Sequence, residues 1–388
     1  MSSPDAGRGR LLVVANFDER GGLQRQLTWL ATALVREGPV TVLTWRAGGE
    51  PFVESRAEGF NVVRVPSLAS WDREHGTWVA RANTAVSVVT ALTAALALGG
   101  RWSTAYAAGL NPEGIVATLA ARALGRRAVI GTWLPGPLGN VSRLERSPVA
   151  PLLKRVLARA DAYVAESGEV ADELAAAGFP RRSVHVVPNG VELPPGGSDA
   201  GARDEARRTL SLQAANGVVV CCARLDLRQK RFDLLLEGWR RAALDGWVLL
   251  LVGEGPDREE VERLAGGVDP RPRLLGWRDD LGTLLDAADY FVLPTNFEAT
   301  GLVVLEAMAR GRPGLVSAVR AFEHLRPSGV ELVPNEAEAW AEALAALARD
   351  GRRREELGRA ARAWVEPRYD IRRTQAAFGW LLRSGARV

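Results

Sequence analysis

Glu298-Ala-Thr-Gly301-Leu302-Val303-Val304-Leu305-Glu306-Ala-Met-Ala-Arg-Gly311-Arg-Pro313 is the stretch on which the fold turns. It follows an apolar run, Tyr290–Leu293, that reads as a strand, and it opens a helix at about Gly301. The intervening loop, Pro294–Phe297, places Glu298 at the carboxyl end of that strand, just before the helix begins. Thr300 stands beside Gly301, and the backbone N–H groups of Gly301, Leu302 and Val303 have no intrahelical partner, so they favour a diphosphate oxygen or a sugar hydroxyl. Glu306 lies further along the helix, where a carboxylate can accept two hydrogen bonds from vicinal hydroxyls such as those of a ribose. On spacing alone, a glutamate that offsets the helix dipole and an ordinary helix glutamate explain the pair equally well.

Upstream, the strand Val218–Ala223 runs into Arg224, and Lys230 follows in the next turn. Two cations at the mouth of a strand suit a pyrophosphate that gains charge as its bond to a sugar breaks. Taken alone, an arginine and a lysine in a loop are more often solvent-exposed than catalytic. The chain has 50 basic residues and only Lys154 and Lys230 are lysines, so a lysine is a mild sign that arginine does not serve there.

The same strand–helix rhythm runs through both halves, as in parallel sheets with crossover helices. Strand candidates in the first half are Leu11–Asn16, Val40–Thr44, Val62–Val65, Ala105–Ala108, Ala128–Thr132, Ala162–Ala165 and Val184–Val187, with helices such as Leu23–Arg36 and Gly114–Leu124 between them. The second half restarts with Val218–Ala223, Val248–Val252, Arg273–Leu275, Tyr290–Leu293 and Gly314–Ser317. The break falls at Pro188-Asn189-Gly190-Val191-Glu192-Leu193-Pro194-Pro195-Gly196-Gly197, which continues neither a helix nor a central strand. The expected fold class is α/β: two doubly wound, Rossmann-like domains facing each other across a cleft, 1–190 and 191–370, with a C-terminal helix, 371–388, packing back on the first. In such sheets ligands sit at the carboxyl ends of the strands, so the cleft between the domains is the expected site.

At 388 residues the chain suits two domains, and 47% hydrophobic with 25% charged residues suits a water-soluble globular protein. The net charge of +4 is compatible with an anionic ligand or an anionic membrane surface, and nothing points to a nucleic-acid partner. Cys221 and Cys222 are adjacent and face opposite ways on a strand, so no disulfide framework forms and a reducing compartment is expected. The N-terminus lacks the apolar core of a signal peptide, which reads as a cytoplasmic protein. The uncharged stretch Ala82–Gly100 is long enough to span a membrane, but its alanines, threonines and Asn83 favour a helix packed on a sheet.

The order Arg-Leu…Lys-x-Phe-Asp-Leu-Leu-Leu from Arg224, Leu-Leu-Val-Gly253-Glu-Gly255-Pro, Leu-Gly276-Trp277 and then Glu298-x7-Glu306 resembles glycosyltransferase family 4. In the first half, Gly21-Gly22-Leu23 after the first strand, Ser167 and the Pro188-Asn189-Gly190-Val191 turn are similar too, so the likeness covers nearly the whole chain. The resemblance implies the GT-B fold and a transferase that retains anomeric configuration. It implies that Arg224 and Lys230 hold the donor diphosphate, Glu298 the donor sugar and Glu306 the donor ribose. Gly21 and Gly22 would approach the diphosphate by their backbone, and Thr300, Gly301, Leu302, Val303, Gly253 and Trp277 complete the donor set. Gly253 and Gly255 also suggest a dinucleotide loop, but the third glycine of that pattern is replaced by Arg258.

The chain departs from the family at Ala299 and Thr300, where Gly or Ser and then Phe are usual. It departs again at Thr132-Trp133-Leu134-Pro135-Gly136, where many members carry a histidine. His75, His185 and His324 lie elsewhere, and the usual glycine-rich segment after Ser317 reads Val319-Arg320-Ala321-Phe322-Glu323-His324. No Asp-x-Asp pair occurs, so a metal-independent reaction is expected, with no cofactor beyond the nucleotide diphosphate sugar donor. A GT-B nucleotide-sugar epimerase and a non-catalytic sugar-nucleotide-binding pseudo-glycosyltransferase are the alternatives. The acceptor is a small molecule, a glycan or a lipid-linked group. Trp71, His75 and Trp133 are candidates to stack on it, although core positions explain the tryptophans equally well. The basic stretch Arg143–Arg159 could touch anionic lipid at the inner face of the membrane, or be an ordinary solvated helix face.

Overall fold

The computed structural model describes residues 8–15, 17, 22–47, 53–57, 59–67, 77–136, 139–196, 200–298 and 300–383. The chain divides into two compact units, one of Met1–Gly190 with Arg372–Val388 and one of Val191–Ile371.

Unit 1 is built on eight strands: β1 (Gly9–Val13), β2 (Val40–Ala47), β3 (Val53–Ala57), β4 (Phe60–Ser67), β5 (Trp102–Ala107), β6 (Arg127–Thr132), β7 (Ala162–Ala165) and β8 (Val184–Val186). Their order is β3-β4-β2-β1-β5-β6-β7-β8. All neighbours are parallel except β3, which runs antiparallel to β4. The apolar runs are continuous because both faces are covered. Leu11 and Val13 of β1 join the core on one side, with Ala91 and Ala95 of the helix Thr77–Ala97. Leu12 and Val14 join the other, with Leu30 and Leu34 of the helix Gly22–Val35 and Phe378 of the helix Ile371–Leu381. The stretch weighed as a span is thus largely the helix Thr77–Ala97, and no helix among the described residues is long and apolar enough to cross a membrane.

Unit 2 carries six parallel strands, β9 (Gly217–Cys222), β10 (Trp247–Val252), β11 (Arg273–Gly276), β12 (Tyr290–Leu293), β13 (Gly314–Ser317) and β14 (Val330–Val333), in the order β11-β10-β9-β12-β13-β14. Alternate residues of β9 serve two cores: Val219 and Cys221 pack with Trp239 and Trp340, whereas Val218 and Val220 pack with Leu305 and Phe322. Cys221 and Cys222 therefore fall on opposite faces, and neither is in a disulfide. Two strands absent from the sequence reading, β3 and β14, are the outer strands of their sheets. Val-Glu-Leu-Val of β14 carries charge because an edge strand is covered less completely than a central one.

Candidate functional site

The candidate residues of unit 2 lie at the carboxyl ends of β9 and β12, where open parallel sheets bind ligands. After β9, Arg224 is exposed. Asp226 caps the short helix Leu227–Lys230 by accepting from Gln229 N at 3.2 Å, and that turn delivers Lys230, which is 8% exposed. After β12, a second loop carries Glu298 to the same place, and the Lys230 Nζ forms an ion pair with Glu298 Oε2.

Three residues that sequence reading missed hold the two loops together. Thr295 donates from Oγ1 to the Gln229 carbonyl at 3.0 Å, Asn296 N donates to the same carbonyl at 2.8 Å, and Gln229 Nε2 donates to the Phe297 carbonyl at 3.2 Å. Behind them, Thr295 N donates to Ser317 Oγ at 2.7 Å, Ser317 Oγ donates to Asn335 Oδ1 at 2.6 Å, and Asn335 Nδ2 returns to the Thr295 carbonyl at 3.0 Å. Four strand ends are thereby laced into one polar floor. Lone polar residues after apolar runs were the only signal of it.

Gly301 precedes the helix Leu302–Ala309 with φ 65° and ψ 60°, a left-handed conformation that favours glycine. A Cβ there would lie 2.8 Å from the Phe322 ring. The conformation turns the chain so that the first N–H groups of the helix open at the strand's carboxyl end, close behind the buried Thr300. Glu306 sits inside this helix, 6% exposed, between Leu305 and Ala307 of the core. A solvated helix glutamate would not be buried so, and a buried carboxylate calls for strong donors.

Gly253 has φ 140°, and a Cβ on it would fall 2.0 Å from the Ala223 carbonyl oxygen. The equivalent contact for Gly255 is Leu225 O at 2.3 Å. These glycines let the loop after β10 lie directly on the backbone that carries Arg224, so the Gly-x-Gly pattern is explained by close packing of two loops. Trp277 is half-buried beyond β11 and donates from Nε1 to Asp279 Oδ1 at 2.8 Å.

In unit 1, Gly22 begins the helix Gly22–Val35, while Gly21, Trp71 and His75 lie outside the described residues. Trp133 corrects the sequence reading. It is 9% exposed, its Nε1 donates to the Ala108 carbonyl at 3.0 Å, and its ring stacks on Phe378 with centroids 6.4 Å apart. It belongs to the core and offers no free face to an acceptor. His185 lies on β8 and His324 packs against Trp364. Glu113, beyond β5, was not foreseen: it is buried and accepts from Ala15 N at 3.3 Å. Burial pushes its carboxyl up, and its backbone hydrogen bonds and Arg143 oppose that shift.

The Glycosyl transferase 4-like domain model matches residues 21–190, and the Glycosyl transferases group 1 model matches residues 216–350. The GDP-mannose-dependent alpha-(1-6)-phosphatidylinositol monomannoside mannosyltransferase of Mycobacterium tuberculosis is 30% identical over 379 residues, 92% of this chain and 93% of the relative. The match to the D-inositol 3-phosphate glycosyltransferase of Xylanimonas cellulosilytica is shorter, 33% identical over 225 residues, so the chain spans only about half of that relative, 54%. Among solved structures, HepE of Anabaena in complex with UDP and glucose superposes with a TM-score of 0.75 at 17% identity, covering 97% of this chain and 99% of HepE. At that identity the likeness establishes the fold, which is GT-B. The chain belongs to the group 1 glycosyltransferases, those with a glycosyltransferase 4-like N-terminal domain.

Proposed function

We propose that this protein transfers a sugar from a nucleoside diphosphate donor to a lipid-linked acceptor, with retention of configuration and without a metal ion. The observation that carries the reading is the cluster at the ends of β9 and β12: a nearly buried Lys230–Glu298 ion pair, a left-handed Gly301 opening a helix start, and a buried Glu306 on that helix. Arg224 and Lys230 hold the diphosphate, the helix N–H groups share its charge, Glu298 accepts from sugar hydroxyls and Glu306 from the ribose. The bond from the anomeric carbon to the phosphate oxygen breaks as the acceptor oxygen attacks from the same face. The acceptor proton passes to the departing phosphate, and the nucleoside diphosphate leaves. The cations stabilise the charge that grows on the leaving group.

The donor assignment is tested by calorimetry with the free nucleoside diphosphate. Glu306→Ala is expected to weaken its binding by ~1–3 kcal/mol, the cost of removing one partner of a buried hydrogen bond. Glu298→Ala should act mainly on turnover or sugar choice. Unchanged nucleotide affinity in Glu306→Ala removes Glu306 from the site.

Among the described residues, no group of three His, Cys, Asp or Glu side chains is placed to hold a metal ion. Transfer is expected to survive EDTA, with cations of the protein in the metal's role. Loss on chelation that magnesium or manganese restores would contradict this.

Two observations favour a lipid-linked acceptor. The mycobacterial relative is named for a phosphatidylinositol mannoside substrate. In this chain Val149 and Leu152 are 50% and 60% exposed at the helix Ala150–Leu157, beside exposed Arg146, Arg155 and Arg159. Apolar side chains ringed by cations suit the surface of an anionic bilayer. Co-sedimentation with phosphatidylinositol vesicles should occur and should fall in Leu152→Glu; equal pelleting of the variant would rule this face out.

A further inference from the structure

The amino ends of the unit 2 strands border a half-open cavity of about 410 Å³. Asp289, which leads into β12, and Pro313, which leads into β13, line it, so it lies at the sheet edge opposite Lys230 and Glu298. Six arginines face it: Arg203, Arg310, Arg312, Arg354, Arg359 and Arg362. Only two carboxylates, Asp289 and Glu355, share the wall.

Three of these guanidiniums are held by carbonyls at the ends of helices. Arg312, 2% exposed, donates from Nε to Leu285 O at 2.9 Å and from Nη2 to Asp286 O at 2.7 Å, in the last turn of the helix Leu281–Ala287. Arg362 donates to Ala309 O, which ends the helix Leu302–Ala309, and to Pro194 O at 2.9 Å. Arg354 donates to Leu347 O and to Ala348 O, the latter at 2.9 Å, near the end of the helix Ala337–Arg349. A carbonyl orients a guanidinium but leaves its charge in place, and each helix end offsets about half a unit. Asp289 is already shared by Arg207 at 2.6 Å and Arg203 at 3.6 Å. Asp286 lies 3.4 Å from Arg310 Nε, and Glu366 lies 3.7 Å from Arg362 Nε. Positive charge is left in excess, on groups whose direction is fixed. Burial and then the nearby Arg203 push Arg312 below its ordinary value, as expected for a cation crowded by cations.

We propose that this cavity binds a small anion carrying two or more phosphate groups, at a site separate from the donor site. Planar guanidiniums that converge from several elements match phosphate oxygens in pairs. The volume falls within the ~300–1,000 Å³ usual for small-molecule sites and exceeds what one tetrahedral anion needs. The four residues of β12 span ~13 Å at ~3.3 Å each, so a pyrophosphate cannot reach both sites at once.

The test is a calorimetric titration of inorganic pyrophosphate into the full chain carrying Lys230→Ala, which removes a diphosphate contact of the donor site. One binding event per chain is expected. The pair Arg203→Gln with Arg359→Glu should weaken it about tenfold or more, while Arg352→Glu, outside the cavity, leaves it unchanged. Arg359 is exposed, so its substitution spares the fold. Should the pair fail to fold by circular dichroism, Arg359→Gln alone is expected to weaken binding measurably. Absence of binding in the Lys230→Ala protein, binding that the cavity substitutions leave unchanged, or inorganic phosphate binding as tightly as pyrophosphate would each overturn the proposal.

Discussion

Lys230→Ala is expected to lower turnover by about 100-fold or more, the usual cost of removing one electrostatic stabiliser of a transition state. The structure sharpens the reason. The ammonium is nearly buried and already engages Glu298, whose side chain is only 12% exposed. An ammonium has three donors, so Lys230 can keep Glu298 in place and still turn a donor to the diphosphate. Removing it strips the diphosphate of a cation and takes from the nearly buried Glu298 its ion-pair cation, so charge stabilisation and sugar positioning are lost together. Lys230→Arg should also lose most of the turnover, because a wide planar fork does not fit a nearly buried position filled by a compact charge. Lys154→Arg is the control. Lys154 pairs with Glu145 at 2.9 Å on a partly exposed helix, and its replacement should be nearly silent. Initial rates at saturating donor decide the matter. Full turnover in Lys230→Arg would make Lys230 a cation for Glu298 and nothing more.

Trp133→Ala is expected to destabilise unit 1 by about 3–5 kcal/mol, as for other truncations of large buried aromatics. Trp133 fills the space between β6 and the helix Ile371–Leu381, and its indole N–H satisfies the Ala108 carbonyl, so alanine leaves both a cavity and an unmet acceptor. The melting temperature should fall by roughly 6–20 °C for a unit of this size, with limited proteolysis releasing the C-terminal helix first. Trp133→Phe keeps the ring stack without the N–H and should lose less. An unchanged melting temperature together with a selective loss of transfer would restore Trp133 as an acceptor contact.

The central strands were legible because parallel strands covered on both faces must be apolar at every position. Tyr290–Leu293 and Gly314–Ser317 are bounded as the sequence suggests. The outer strands β3 and β14 were not, since charge on an edge breaks the apolar run. In the site, Lys230, Glu298, Gly301 and Glu306 stood out through spacing and through resemblance to a known family; the structure pairs Lys230 with Glu298 beyond β9 and β12 and puts Gly301 at the start of the next helix and Glu306 inside it. Gln229, Thr295, Ser317 and Asn335 did not, because their bonds cross between loops far apart in the chain and follow no local pattern. Trp133 misled because a tryptophan just past a strand reads alike whether it faces solvent or a helix from the far end of the chain. The arginine cavity was hidden for a related reason: in a chain this rich in arginine, six that converge from separate elements look like all the others.

Retaining transfer from a nucleoside diphosphate sugar is the reaction proposed for this protein. It is tested most directly by incubating the protein with an α-configured, isotope-labelled donor and phosphatidylinositol-containing vesicles, then determining the anomeric configuration of the purified product by NMR. An α-linked product should form only with acceptor present and be nearly lost in Lys230→Ala. A β-linked product, or donor cleavage to free sugar regardless of acceptor, would contradict it.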